Sequence, residues 1–117
     1  MKKKILSSLL ILSLSSSLFA QYTGPGSNSN YYKSVQAVLD NPIEDANVVL
    51  EGYIIKQLNK EKFLFSDDKS QIRVEIDNEL FINKIINENT KIKIIGEVEK
   101  DFLQSPEIDV DYFEIIN

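Results

Sequence analysis

The sequence VVLEGYIIK at residues 48–56 returns in similar form as IKIIGEVEK at residues 92–100. Each stretch is apolar and β-branched, and each carries a glycine, Gly52 or Gly96, where an ordinary strand has a side chain. A glycine inside a strand is typical of a bulge or of a tight bend at a barrel corner. We therefore predict two bent strands within a small sheet that closes on itself.

Outward from these two stretches, the apolar residues keep the period of two that is typical of strands. Polar turns at residues 59–61 and 66–70 join the first three predicted strands into an antiparallel meander. Two further strands follow after a compact connection, and this order predicts an all-β fold, a five-stranded Greek-key OB-fold barrel with one or two short helices. A small β-sandwich is the alternative, but it normally needs about seven strands. The predicted inward residues are Val48, Leu50, Ile54, Phe63, Phe65, Ile72, Val74, Ile76, Ile92, Ile94, Val98, Ile108 and Val110.

Two segments outside the strands carry apolar residues that we expect to cover the barrel. Ser34 is a favourable N-cap, and the residues after it have the spacing of a short amphipathic helix that would plug one open end. Residues 78–89 break the strand alternation, and we interpret them as a helical turn or compact loop over the barrel. The apolar residues of that segment are Leu80, Phe81, Ile82, Ile85 and Ile86.

The N-terminal residues have the features of a secretory signal peptide. Residues 1–20 contain three lysines, an apolar stretch interrupted only by serines, and an alanine at position 20 where cleavage is expected. We predict a signal peptide at 1–20, a flexible leader at 21–33 and one domain at 34–117. No later stretch is long and apolar enough to span a membrane, so we expect the mature protein in the periplasm.

The charge balance argues against nucleic acid as a partner. The chain has 13 basic and 18 acidic residues, a net charge of −5. Removal of residues 1–20 takes away three lysines and no acid, which leaves 10 against 18 and a net charge of −8. Binding of a polyanion needs a basic surface that releases counterions, and this composition does not provide one.

The chain contains no cysteine and no histidine. Disulfides, zinc sites with these ligands, thiol nucleophiles and Ser-His or Cys-His catalytic pairs are therefore excluded. A pair of carboxylates acting as a glycosidase would need a cleft, and a small barrel with a plugged interior has little room for one. We predict no enzymatic activity, no cofactor and no metal site.

Five short motifs occur in an order that resembles the bacterial OB-fold (BOF) family of periplasmic stress proteins. They lie at residues 50–52, 63–67, 72–77, 94–98 and 107–110. The resemblance covers residues 34–117. It implies an OB barrel without enzymatic activity, located in the periplasm and associated with tolerance of envelope stress. It leaves the ligand open and implies a binding face without nucleic-acid determinants.

OB folds generally bind ligands on the outer face of strands two and three, between the loops that frame it. On this sequence that face would bind an envelope glycan or a cationic peptide, and we expect a monomer. The alternatives are an interaction protein that docks onto another periplasmic protein, and a strand surface that is merely solvated. The candidate residues are Tyr53, Lys62, Leu64, Arg73 and Glu75 on the strands, with Lys100, Asp101 and Phe102 on a neighbouring loop.

An acidic stripe, Glu107, Asp109 and Asp111, lies on the last predicted strand. Carboxylates at this spacing share one face of a strand and do not wrap around an ion as a calcium loop does. We expect Lys91 and Lys93 on the neighbouring strand to supply cross-strand partners for them.

Overall fold

The computed structural model describes residues 30–117; the predicted signal peptide and the leader up to residue 29 lie outside this range. The first element is a helix, α1 (Val35–Asp40). The strands are β1 (Asn47–Gln57), β2 (Lys62–Ser66), β3 (Gln71–Glu75), β4 (Ile92–Glu99) and β5 (Glu107–Ile115), and a single-turn 3-10 helix spans Asn78–Phe81. No helix in the described range has the length and apolar character needed to cross a membrane.

The five strands form a closed barrel in the order β1-β2-β3-β5-β4. All neighbouring pairs are antiparallel except β3 and β5, which run parallel. This is the five-stranded OB-fold barrel predicted from the strand order. The parallel pair follows from the connection after β3, which carries the chain across to β4 before β5 returns between them.

The two glycines lie where neighbouring strands come unusually close. A Cβ atom on Gly52 would overlap the carbonyl oxygen of Ser66 on β2 and lie 2.9 Å from Cζ of Phe65. A Cβ atom on Gly96 would overlap the carbonyl oxygen of Asp109 on β5 in the same way. The pairing register shifts beside Gly96 and again after Ile54 on β1. The glycines therefore permit close approach of the backbones at the points where the barrel bends.

The barrel interior is a continuous apolar core. Every predicted inward residue except Ile54 is buried, and Ile54 packs half-buried against the core edge. The inner faces of β1 and β4 meet in the core, with Leu50 opposite Ile94 and Gly52 opposite Ile92. The core is completed by Val35, Val38 and Phe113.

Helix α1 forms where the spacing predicted a short helix, and its apolar residues join the core. The Ser34 side chain accepts a hydrogen bond from the Ala37 N–H at 3.1 Å, which confirms the N-cap. Val35 and Val38 are fully buried. The helix is tied to the turn after β2 because Asp67 Oδ2 accepts a hydrogen bond from the Val35 N–H at 3.0 Å.

The segment after β3 covers the barrel with only some of its apolar residues. Leu80, Phe81 and Ile86 pack against the core, whereas Ile82 and Ile85, which we expected in the same cover, are 66% and 95% exposed. The chain turns sharply after Ile82, because Asn83 has a left-handed backbone with φ of 63°. The turn directs Lys84 inward instead, where its Nζ donates to the Phe113 carbonyl oxygen at 2.9 Å and lies 4.6 Å from that ring.

Tyr32, within the predicted leader, is part of the folded domain. It forms a parallel bridge with Val48. Its N–H donates to the Asn47 carbonyl oxygen at 2.9 Å, and its own carbonyl oxygen accepts from Val49 at 3.0 Å.

Candidate functional site

The candidate residues on β2 and β3 lie side by side on the outer face of the barrel. In the antiparallel register Lys62 is opposite Glu75 and Leu64 is opposite Arg73. All four side chains are half-buried, because inward residues such as Phe63 and Val74 alternate with them. The alternation that was used to assign these faces therefore holds along both strands.

The structure adds Glu107 of β5 to this group. The parallel register of β3 and β5 sets Arg73 beside Glu107. Lys62 Nζ lies 2.6 Å from Oε1 of Glu107, and Nη2 of Arg73 lies 3.4 Å from its Oε2. Glu107 is only 8% exposed, although it points outward, because these two long side chains cover it. The hydrogen bond to Glu107 raises the pKa of Lys62 against the opposing effect of desolvation.

Arg73 also joins this face to the loop between β4 and β5. Its guanidinium donates to the side-chain oxygen of Gln104 and, at 2.8 Å, to the Ser105 carbonyl oxygen. Its Nε atom is buried and has no hydrogen-bond partner among residues 30–117. Arg73 therefore positions the end of the loop that leads into β5.

The loop residues Lys100, Asp101 and Phe102 have different surroundings. The Lys100 N–H donates to Oε1 of Glu44 at 2.7 Å, and the Asp101 carboxylate accepts from the Leu103 N–H at 2.8 Å. Phe102 is fully exposed, and the adjacent Leu103 is 92% exposed. The loop therefore presents two apolar side chains at its tip.

Tyr53 lies apart from the charged group. Its register partner is Ser66, at the opposite end of β2 from Lys62. Four residues of strand separate these ends, a distance of roughly 13 Å at the usual rise per residue. In the described part of the chain, no side-chain hydrogen bond joins Tyr53 to Lys62, Arg73 or Glu75.

The expected lysine partners of the acidic stripe are not observed, and that expectation was wrong. On β4 the residue opposite Asp109 is Glu97, and the residue opposite Glu107 is Glu99. Lys93 lies further along the ladder and pairs with Glu114 at 3.5 Å. The error arose because alternation does not determine the register between β4 and β5, and because the cations that reach Glu107, Lys62 and Arg73, come from β2 and β3.

Five carboxylates lie close together on the outer side of β3, β4 and β5. We call this surface the acidic face and define it by Glu75 of β3, Glu97 and Glu99 of β4, and Glu107 and Asp109 of β5. Asp109 of β5 is opposite Glu75 of β3 on one side and opposite Glu97 of β4 on the other. Like charges opposite one another destabilise a sheet, so this arrangement lowers the stability of the fold.

The mutual repulsion is visible in the pKa values of the acidic face. A hydrogen bond with Asp111, together with burial and nearby carboxylates, raises the pKa of Glu97 to about 7. Burial, with the charges of neighbouring acids, also raises the pKa of Glu99 and that of Asp109. Glu97 and Glu99 were not predicted from the sequence because the strand beside the acidic stripe was considered only as a source of lysine partners. The alternation that turns Glu97 and Glu99 outward on β4 was the signal that could have included them.

Two groups of three carboxylates converge at this side of the barrel, although the sequence analysis predicts no metal site. One group is Glu61, Glu75 and Asp77, and the other is Glu75, Glu99 and Glu107, with oxygens in each group within 4.8 Å of one another. The spacing argument considered one strand alone, whereas these oxygens come from neighbouring strands. Lys62 Nζ already contacts two carboxylates of the second group, at 2.6 Å and 3.8 Å.

Comparison with known proteins identifies the relatives of this chain. The family model described as "Bacterial OB fold (BOF) protein" matches residues 16–115. The "Calcium-regulated OB-fold protein CarO" of Pseudomonas aeruginosa is 40% identical over 99 residues, which cover 85% of this chain and 83% of CarO. Protein YgiW of Escherichia coli is 31% identical over 74 residues, 63% of this chain and 56% of YgiW.

A solved structure of YgiW from Escherichia coli also matches the fold. It superimposes with a TM-score of 0.68 at 27% sequence identity. The match covers 75% of this chain and 92% of the YgiW chain.

Proposed function

The chain belongs to the bacterial OB-fold (BOF) family, and we propose that it is a non-enzymatic, exported binding protein whose acidic face binds a cationic peptide. The observation that carries this proposal is the grouping of five carboxylates on three adjacent strands. The pKa values of three of them, Glu97, Glu99 and Asp109, are raised. A surface that keeps destabilising like charges together is a candidate for binding a partner of opposite charge.

The acidic face already binds an ammonium and a guanidinium group from its own chain. Lys62 and Arg73 contact Glu107 from two sides, in the same way that lysine and arginine side chains of a peptide would contact the remaining carboxylates. These two cations balance only part of the charge of the five acids. The excess negative charge favours a peptide rich in lysine or arginine.

The same contacts make a glycan a weaker candidate for this face. Lys62 and Arg73 donate to groups of the protein itself, which leaves fewer donors for sugar hydroxyls. Tyr53 lies on β1 opposite Ser66, at the end of β2 that is far from Lys62, so it does not supply an aromatic platform beside the carboxylates. Phe102 at the tip of the neighbouring loop is fully exposed and offers an apolar contact for a peptide side chain.

Export to the periplasm is part of the proposal. It is supported by residues 1–20, which have the basic start and apolar stretch of a signal peptide. Mass spectrometry of a periplasmic fraction should find a mature chain that begins at or near Gln21. Recovery of the full-length chain in the cytoplasm alone would contradict export.

A role in envelope stress tolerance follows from the proposed ligand. A protein that binds cationic peptides in the periplasm would lower their free concentration at the membrane. A strain that lacks the protein should therefore be more sensitive to a cationic antimicrobial peptide. Equal sensitivity of the two strains would count against this role.

Calorimetric titration with an octalysine peptide tests the binding directly. The double variant Glu97→Gln, Glu99→Gln should weaken binding roughly tenfold, since each exposed ion pair contributes up to about 1 kcal/mol. Lys62→Gln should strengthen binding, because it removes a competing cation from Glu107. Glu51→Gln, an exposed acid on β1, is the matched control and should change little.

The outcomes of this experiment separate the alternatives. Equal affinity of the control and the double variant would contradict the acidic face as the site. Binding to a peptidoglycan fragment but not to octalysine would favour the glycan. A stoichiometric protein captured from periplasmic extract, with neither ligand bound, would favour an interaction protein.

A calcium ion is the second candidate ligand. It is supported by the convergence of Glu75, Glu99 and Glu107 and by the name of the relative CarO, which describes it as calcium-regulated. Calcium takes several carboxylate oxygens at one site, and here it would have to displace Lys62. Calcium should therefore raise the melting temperature of Lys62→Gln more than that of the wild type, and no shift in either protein would exclude this candidate.

A further inference from the structure

A groove beside the C-terminal end of β1 has different lining residues from those of the acidic face. It has a volume of about 590 Å³ and lies between the C-terminal end of β1, the β1–β2 turn and the segment after β3. Ligand pockets for small molecules commonly have volumes of about 300–1,000 Å³. None of the five residues that define the acidic face lines this groove.

The floor of the groove is apolar and is fixed by the core beneath it. It contains Ile54, Phe63, Phe81 and Ile86. The Phe63 and Phe81 ring centroids are 5.6 Å apart in a tilted arrangement, and Phe81 lies 5.2 Å from the Phe113 ring. This ring cluster holds Phe81 in place, so the floor is formed before any ligand binds.

A β-bulge directs consecutive residues of β1 into the groove. Ile54 pairs with Phe65 and Lys56 pairs with Leu64, so Ile55 between them has no partner on β2. All four residues from Ile54 to Gln57 line the groove, whereas a regular strand would turn alternate side chains away. Bulges often redirect side chains at binding sites, and here four consecutive residues border one groove.

Two lysines, Lys56 and Lys60, line the groove beside the apolar residues, together with one carboxylate, Glu88. Among residues 30–117, neither Lys56 nor Lys60 has a carboxylate within 4.0 Å, although the chain contains 18 acids. The turn that carries Lys60 is well braced, because Gln57 Nε2 donates to the carbonyl oxygens of Asn59 and Lys60 at 3.0 Å and 3.4 Å. The Asn59 side chain also accepts from the Lys62 N–H at 3.0 Å.

We propose that this groove binds a small amphipathic anion, with an alkyl or aromatic body on the apolar floor and a carboxylate or phosphate group between Lys56 and Lys60. The two unpaired ammonium groups supply the charge complement that an apolar floor alone would lack. The groove is separate from the acidic face, so anion binding here does not depend on cationic-peptide binding there.

Sodium decanoate, kept below its micellar concentration, is a suitable probe. Calorimetry and amide chemical-shift mapping should show saturable binding of one molecule, with the largest shifts at Ile54 to Gln57 and around Phe81. The double variant Lys56→Gln, Lys60→Gln should weaken binding roughly tenfold. Lys69→Gln, in the β2–β3 turn, is the matched control and should bind as the wild type does.

Two further arms identify the chemistry that is recognised. Decyl phosphate should bind and decanol should bind much more weakly, which would establish the need for an anionic group. Ile55→Ser changes an exposed residue of the bulge and should weaken decanoate binding while the circular dichroism spectrum stays unchanged. Absence of saturable decanoate binding, equal affinity of the double lysine variant, or equal binding of decanol would overturn the proposal.

Discussion

Replacement of Gly52 by alanine tests whether close approach of β1 and β2 is the reason for the glycine. The added Cβ atom would overlap the Ser66 carbonyl oxygen and lie 2.9 Å from Cζ of Phe65. Real Cβ atoms essentially never lie within 3.0 Å of such neighbours. The carbonyl belongs to the backbone of β2, so the strands must separate by a distance on the order of 1 Å to relieve the overlap.

The cost of this separation follows from the interactions that it disturbs. Lengthening two ladder hydrogen bonds by this amount loses about 1 kcal/mol each. Crowding of the Phe65 side chain in a packed core adds about 1–3 kcal/mol. Alanine loses less backbone entropy than glycine on folding, which offsets about 0.5–1 kcal/mol of this cost. We therefore expect Gly52→Ala to lower the free energy of unfolding by about 3 kcal/mol.

Urea and thermal denaturation followed by circular dichroism measure this effect. For a domain of this size, about 3 kcal/mol corresponds to a melting temperature lowered by roughly 12–24 °C. Glu51→Ala, at the exposed neighbouring position on β1, is the control and should change stability by no more than about 0.5 kcal/mol. A loss below about 1 kcal/mol for Gly52→Ala would refute the close-approach explanation.

Three further predictions concern the acidic face, the helix and the loop. Because the pKa of Glu97 is raised from 4.5 to about 7 in the folded protein, the protonated side chain stabilises the fold fully below pH 4.5. This stabilisation is lost as the pH rises through about 7. The full shift corresponds to about 3 kcal/mol, which solvent screening of this half-exposed group reduces to about 1 kcal/mol. Urea denaturation should therefore show Glu97→Gln more stable than the wild type at pH 8 and equal to it near pH 4; equal stability at both would contradict the repulsion. Asp67→Ala should cost about 2 kcal/mol in the same assay, because it removes the acceptor for the Val35 N–H and for the turn that follows β2, whereas a neutral effect would show that helix α1 does not need this anchor. Phe102→Ser should leave the melting temperature unchanged, because that side chain is fully exposed, and a measurable loss would place the loop tip in contact with the domain.

The fold could be predicted from the sequence because its two strongest signals are local. Alternation assigned the faces of Phe63 and Phe65 on β2, and the glycines marked the strands that close the barrel. The strand order then followed from the number of predicted strands and from the compact connection between the third and the fourth. Local signals failed where the chain turns within a few residues, as at Ile82 and Ile85, because the left-handed backbone at Asn83 has no signature in hydrophobic periodicity.

The candidate site depends on contacts between distant residues, and the sequence predicted it only in part. Alternation correctly directed Glu107 outward, but it did not reveal that Lys62 and Arg73 cover this carboxylate. These ion pairs form because β5 enters between β3 and β4, which joins residues more than 30 positions apart. The groove depends in turn on the bulge at Ile55, since one unpaired residue does not disturb the average alternation of a strand.

The closure of the ring has a consequence for how the domain opens and forms. Among the described residues, every strand has a partner on both sides, so the sheet has no edge from which it can fray or recruit a second chain. The ladder between β1 and β4 joins positions such as Gly52 and Ile92, roughly 40 residues apart. Such distant pairing is slow to establish, so we expect the chain to fold more slowly than a helical domain of the same size. At equal stability the unfolding rate must then also be lower, because the ratio of the two rates sets the equilibrium constant.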